Sequence, residues 1–338
     1  MGTEISLTNA PYFIHPNRVG GFQEVWYLKL NQPGTGRALW LRFTVLIRND
    51  SSKEIAEVWA IFFESKVGET RKVGIKNTYP LSEFKTVNSV GLAIADSCFF
   101  DVRTEGVVRN EEHQLRWALD YVPITNMQFD FVPVLLPKLK VVKNTATTVY
   151  ENIAFTGWCE VDGERYEWSN APGMQGHLSG PRNGHSWAWG HCNCFTDASG
   201  EPAPVIWDGL CARAPLGKKA APPLTSMFFR IGDETWRINT LRDILKTRSH
   251  YDFETFTFTV KKNGTVFEGK VFARLEDYAG VTYEDTDGSH LYCHNSKISD
   301  IELTVTPVNG QAQTYTGKGT CAYEVVAREA HPDITLLI

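Results

Sequence analysis

The chain has 338 residues, 42% hydrophobic and 22% charged, the make-up of a globular protein long enough for two domains or one large one. A formal net charge of −5 with no long basic run leaves no electrostatic footprint for nucleic acid, and no apolar run approaches bilayer-spanning length. Seven scattered cysteines without a CxxC pair read as reduced thiols and not as a disulfide framework.

The opening MGTEISLTNAPYFIHP has no basic region followed by an apolar core, so the sequence predicts a cytoplasmic protein without a secretory signal. Gly2 and Ser6 fit a short, permissive myristoylation pattern, which leaves peripheral membrane contact open. Period-2 alternation then begins. A strand is predicted near 22–30, where Phe22, Glu24, Trp26 and Leu28 share one face and Tyr27 points the other way. In RALWLRFTVLI, Leu39, Leu41, Phe43, Val45 and Ile47 share one face, and Trp40, Arg42 and Thr44 the other. IAEVWAIFFE follows across a turn-like NDSSKE, so the two runs read as a hairpin; Glu64 at its end reads as solvated. A helical turn is predicted at Leu81–Lys85. Strands are predicted near 113–121, 127–135 and 148–160, with Lys138–Lys143 as a strand with one solvated face.

The second half continues in the same manner. Residues 186–194 read as a strand, Ala212–Leu224 as an exposed Pro/Ala/Lys-rich excursion, and 226–231 as a strand. TLRDILKTRS is the best short helix, with Thr240 as its cap. TFTFTV and the alternation from Phe267 flank Asn263-Gly264, a strong hairpin signal, and further strands fall near 298–306 and 314–326. Many strands with few short helices predict an all-β protein of sandwiches or barrels. The length suits two β-units, 1–200 and 201–338, with a soft boundary at 196–225.

The stretch SWAWGHCNC is the most informative. On a strand, Trp187, Trp189, His191 and Asn193 share a large, aromatic, hydrogen-bonding face, and Ser186, Ala188, Gly190, Cys192 and Cys194 share a small one. Such a face suits the wall of a cavity for an apolar ligand. His185 has the opposite phase and reads as exposed or structural.

GFQEVWYLKLNQPGTGRALWLRFTVL and GMQGHLSGPRNGHSWAWGHCNCF resemble the lipocalin-like group of carotenoid hydratases, tocopherol cyclases and AttH-type proteins, whose fold some fungal Diels–Alderases share. The resemblance implies two consecutive lipocalin-like antiparallel β-barrels with an apolar ligand site in or between them. It also implies chemistry on isoprenoid or polyketide-derived molecules without a redox cofactor.

Cofactor-free cyclisation or hydration needs an acid whose pKa is held up by its surroundings and aromatic walls for a cation; a pericyclic step needs a shaped cavity and a hydrogen bond. His191, in phase with Trp187 and Trp189, is the first acid candidate; the alternative is a core histidine bonded to backbone. His177, just before the loop-like LSGPRNG, and Asp208, read as a turn residue in VIWDGL, are further candidates. Glu24, Tyr27 and Arg42 form a second group: Glu24 sits between aromatics and needs a partner, for which Arg42 is the natural choice, either as a structural ion pair or as a tuned acid, and Tyr27, pointing the other way, is the weaker candidate. Trp187, Trp189, Asn193, Arg42, Trp40 and Trp26 are the candidate substrate-binding residues. His185, His191, Cys192, Cys194 and Cys211 lack a standard zinc spacing, and His290, Cys293 and His294 lie in a presumed β region, so no metal is expected. P-loop, dinucleotide and GxSxG patterns are absent, and no cofactor is expected. The favoured reading is cyclisation, hydration or a pericyclic step on a hydrophobic isoprenoid-like or polyene molecule. The rivals are a non-catalytic carrier for such a ligand and a structural protein with filled barrels.

Overall fold

The computed structural model describes residues 9–14, 20–66, 69–87, 91–100, 102–125, 127–133, 144–216 and 219–338. The predicted strand Lys138–Lys143 and the Gly2/Ser6 pattern lie outside these. Two large antiparallel sheets dominate, as the alternation predicts. In the first, the long strands run side by side in the order Glu69–Pro80, Glu54–Lys66, Arg37–Ile47, Phe22–Gln32, Glu164–Gly180, Thr145–Val161, Gln114–Pro123 and Arg103–Arg109, followed by short strands. It curls until its ends meet: the Asn77 side chain donates to Arg109 O (2.7 Å) and accepts from Arg109 N (3.0 Å), standing in for a strand partner. In the second, the order is Glu234–Ile238, Leu224–Ile231, Val205–Arg213, Ser186–Cys192, Gln313–Ala327, His290–Thr306, Thr265–Phe272, Thr255–Lys262 and Arg248–Tyr251. A Thr225–Ser249 hydroxyl pair at 2.7 Å links its ends. These are two consecutive lipocalin-like barrels. The chain passes from one sheet to the other between Gly180 and Ser186, upstream of residues 196–225.

Local chemistry explains the details. Asn263 and Gly264 both take positive φ (51° and 84°), the geometry of a tight hairpin turn, between Thr255–Lys262 and Thr265–Phe272. Thr240 Oγ1 accepts from Asp243 N and caps the short helix Leu241–Ile244. Leu81–Glu83 is a single 3-10 turn. Three regions differ from the sequence reading. Of 127–135, only Phe129–Asp130 is strand among the described residues. The Ala212–Leu224 excursion holds the end of Val205–Arg213 and a small ladder, Pro215–Leu216 with Lys219–Ala220. Ser186–Cys192 stops short of Asn193 and Cys194.

What positions the site is burial on both faces of the central strands. Along Arg37–Ile47, Leu39, Leu41, Phe43 and Val45 fill the first barrel, while Ala38 and Trp40 face the second sheet. Along Glu54–Lys66, Val58, Ala60 and Phe62 point in, and Trp59, Ile61 and Phe63 point across. The second sheet answers with Trp189, Ile206, Phe228, Tyr283 and Val326. Each such side chain gains about 1.5–3 kcal/mol by leaving water, which is why these runs are almost continuously apolar. No helix among the described residues is long and apolar enough to cross a membrane.

Candidate functional site

Ser186–Cys192 lies between Val205–Arg213 and Gln313–Ala327. Its alternation sends Ala188 and Cys192 into the second barrel's core and Trp189 toward the first sheet, with Trp187 packed beside it. There, between the sheets, is a cavity of about 220 Å³. Asn144, Thr145, Asn183 and Gly184 form part of its rim; Val25, Trp40, Phe131, Leu178, Trp187 and Trp189 supply apolar wall; Tyr27, Arg42, Tyr283 and Glu324 supply polar groups.

The polar groups differ in how well they are partnered. Glu324 Oε1 accepts from Lys297 Nζ at 2.6 Å, and Nζ also donates to Asn295 Oδ1 (2.5 Å) and sits 5.2 Å from the Trp189 ring. Burial pulls the Lys297 ammonium below its usual pKa, opposed by Glu324. Arg42 is 7% exposed; its Nε donates to Thr44 Oγ1 (2.8 Å), and its guanidinium lies 4.1 Å from the Tyr283 ring and 5.1 Å from the Trp59 ring. The Tyr27 ring meets Trp189 edge-on at 5.7 Å. Burial first, then the carboxyls of Asp208, Glu324 and Glu151, push the Tyr27 phenol well above its usual range, so it stays a donor. Among the described residues its hydroxyl has no protein partner.

Behind the Trp189 wall lies a sealed polar network. Asp208 Oδ1 accepts from Trp189 Nε1 (2.9 Å) and Oδ2 from Thr148 Oγ1 (2.5 Å). Burial raises Asp208 to about 7, and burial followed by the Asp208 charge pushes Glu151 well above the carboxylate range. His191 Nε2 donates to Glu151 O (3.1 Å), and Nδ1 faces Lys29 Nζ at 3.4 Å. These partners set the tautomer, and burial with the Lys29 charge depresses the imidazole pKa well below its usual value.

The candidates named from sequence therefore fall into three places. Trp187, Trp189, Trp40 and Arg42 line the cavity. His191 and Asp208 lie in the network behind it. Burial and the Lys29 charge lower the His191 pKa well below its usual value, which works against the imidazolium form that the expected acid role needs, and its Nε2 bonds backbone as the alternative reading has it. Asp208 is a buried strand residue opposite His191, not a turn residue, because Val205–Arg213 runs through VIWDGL. Glu24, His177 and Trp26 belong to the first barrel. His177 Nε2 meets Glu24 Oε1 at 2.8 Å, and the His177 ring stacks 4.9 Å from Trp26 and 5.4 Å from Tyr12. Glu24 also accepts from the Tyr12 and Phe13 amides. The expected Glu24–Arg42 pair does not form, since cross-strand register sets Arg42 opposite Tyr27 and Glu24 opposite Val45, on alternate faces. His177 sits in the long strand Glu164–Gly180, not at a loop. Asn193, past its strand end, donates to Asn152 Oδ1 (2.8 Å) and Gly173 O (2.9 Å) and so ties the barrels together. Glu64 is buried and paired with Arg37 (2.8 Å) and Lys66 (3.0 Å), where solvation was expected.

Glu324, Glu151, Lys29 and Lys297 carry no separate signal in the sequence analysis, and Tyr27 ranks there only as the weaker member of the group with Glu24 and Arg42. Each is a polar residue inside an apolar strand, as in VYENIAF and CAYEVV, and that pattern was the available signal.

The fold and cavity define a two-barrel, lipocalin-like all-β protein with an apolar site between the barrels. No family model matches the chain. Over 55 residues, 16% of this chain, it is 46% identical to a probable chloroplastic tocopherol cyclase of Oryza sativa subsp. japonica. That stretch spans only 12% of the cyclase. Across almost the whole fold it is similar to a putative AttH of Nitrosomonas europaea (TM-score 0.54, 11% identity, 98% of each chain). It is also similar to CghA crystallised with Sch210972 (TM-score 0.52, 9% identity, 92% of this chain and 90% of that one). The chain has the fold of the AttH-type lipocalin-like group.

Proposed function

We infer that this protein is a cofactor-independent enzyme that cyclises, hydrates or otherwise rearranges an apolar small molecule in the cavity between its barrels. The observation that carries the reading is Tyr27: a protonated hydroxyl, without a partner among the described residues, on an aromatic-lined cavity of about 220 Å³. Such a donor polarises a carbonyl or hydroxyl of a folded ligand, while Trp187 and Trp189 supply π-faces beside any developing positive charge. Enclosure strengthens each of these effects. His191, Glu151 and Asp208 act as positioning groups, holding Trp189 from behind. The short likeness to a tocopherol cyclase supports an isoprenoid-like ligand, and we place the protein in the cytoplasm, with residues up to 180 and from 186 as its two units.

Native mass spectrometry of the freshly purified protein, followed by incubation of the recovered ligand with apo-protein, tests the reading. Wild type should carry an apolar molecule and convert it, whereas Tyr27→Phe should carry it and leave it unchanged. Recovery of unchanged ligand from both proteins identifies a carrier, and protein that takes up no apolar molecule refutes the site.

A further inference from the structure

Among the described residues, the cavity contains a cation without a matching anion. Glu324 and Lys297 neutralise each other at 2.6 Å. Glu57 and Lys76, on the far side of the Trp59 ring, lie 3.9 Å apart. Arg42 has no carboxylate partner among the described residues, although it is 7% exposed and lines the cavity. Its faces are committed: Tyr283 and Trp59 lie against the guanidinium, and Nε is used by Thr44. Stacking occupies the π-surfaces of a guanidinium and leaves its in-plane N–H groups free. The two Nη atoms have no hydrogen-bond partner among the described residues. A charge held in an apolar enclosure is costly until an opposite charge meets it, and planar paired N–H donors match a carboxylate in both charge and shape.

We propose that the substrate is an apolar carboxylic acid, bound with its carboxylate on the Arg42 Nη atoms and its hydrocarbon body along Trp187, Trp189 and Leu178. This deepens the reading above, since it takes the cavity to be a ligand site. It makes Arg42 the specificity-determining residue and Tyr27 the donor to a second oxygen of the ligand. Glu324 does not oppose it, because Lys297 cancels its charge at short range.

Naphthylacetic acid and its neutral isostere naphthylacetamide are the probes, titrated calorimetrically into the intact protein at neutral pH. Wild type should bind the acid about tenfold or more tighter than the amide. Arg42→Gln should bring the two to within about twofold with the amide affinity little changed, and Arg42→Lys should keep part of the preference. Equal wild-type affinities overturn the proposal without recourse to any variant. So does an acid preference that survives Arg42→Gln. Binding of the amide with no preference for the acid leaves the cavity as a ligand site and refutes only its acid specificity. Binding of neither probe overturns both.

Discussion

Asp208→Asn should flatten the pH dependence of stability. Asp208 is fully buried, and burial holds its carboxyl at about 7 against an ordinary 3.8. Below 3.8 both folded and unfolded chains carry the proton. Between 3.8 and about 7 the folded chain keeps a proton that the unfolded chain releases, so stability falls as pH rises, and the fall is complete above about 7. Linkage with these values gives a loss of about 2–3 kcal/mol between about pH 5 and about pH 8, or about 3–4 °C in Tm for a chain of this length. Glu151 is shifted in the same direction, in part by the Asp208 charge, so its own pH-dependent contribution shrinks in the variant and adds to the flattening; His191 acts in the opposite sense only below its ordinary pKa of 6.5 and is present in both proteins. The Asn amide still offers an acceptor to Trp189 Nε1, and the Thr148 hydroxyl can rotate to accept from the new NH₂ group. The assay is thermal unfolding of wild type and variant across this pH range. A Tm difference between the two that stays constant with pH refutes the assignment of a raised, proton-holding carboxyl at this position.

Two further outcomes follow from geometry. A Cβ on Gly176 would lie 2.1 Å from Tyr27 Cζ, so Gly176→Ala must displace the ring; we expect about 1–3 kcal/mol of destabilisation and weakened ligand binding, read by unfolding and calorimetry. Unchanged affinity would show that the ring does not shape the cavity. Asn77→Ala removes both bonds that join the ends of the first sheet, at a cost of about 1 kcal/mol, and should speed hydrogen exchange at the Arg109 amide while exchange at Trp117 stays slow.

Alternation made much of the fold legible. Leu39, Leu41, Phe43, Val45 and Ile47 point into a barrel core as their spacing predicts, and Asn263-Gly264 turns a hairpin because its φ angles demand such residues. The site was half legible. Trp187 and Trp189 could be read because their strand has one large and one small face. Phase alone sets Tyr27 below Glu24, but it is a poor guide here, because both faces of Phe22–Gln32 are buried, one inside a barrel and one between the barrels. Periodicity reports which residues share a face, and it is silent on what that face meets. The same silence produced the Glu24–Arg42 pairing and hid the His177 partnership, which depends on the register between strands about 150 residues apart in sequence.

The shared wall of the barrels has a bearing on how such a protein can be divided. Trp40, Trp59, Ile61 and Phe63 are buried in a cluster shared with residues of the second sheet. A fragment ending at Gly180 would present these side chains to water as one adhesive patch. Shuffling halves between relatives would therefore require trading the facing surfaces as a matched set, and the inheritable unit is the pair of barrels with the chamber they enclose.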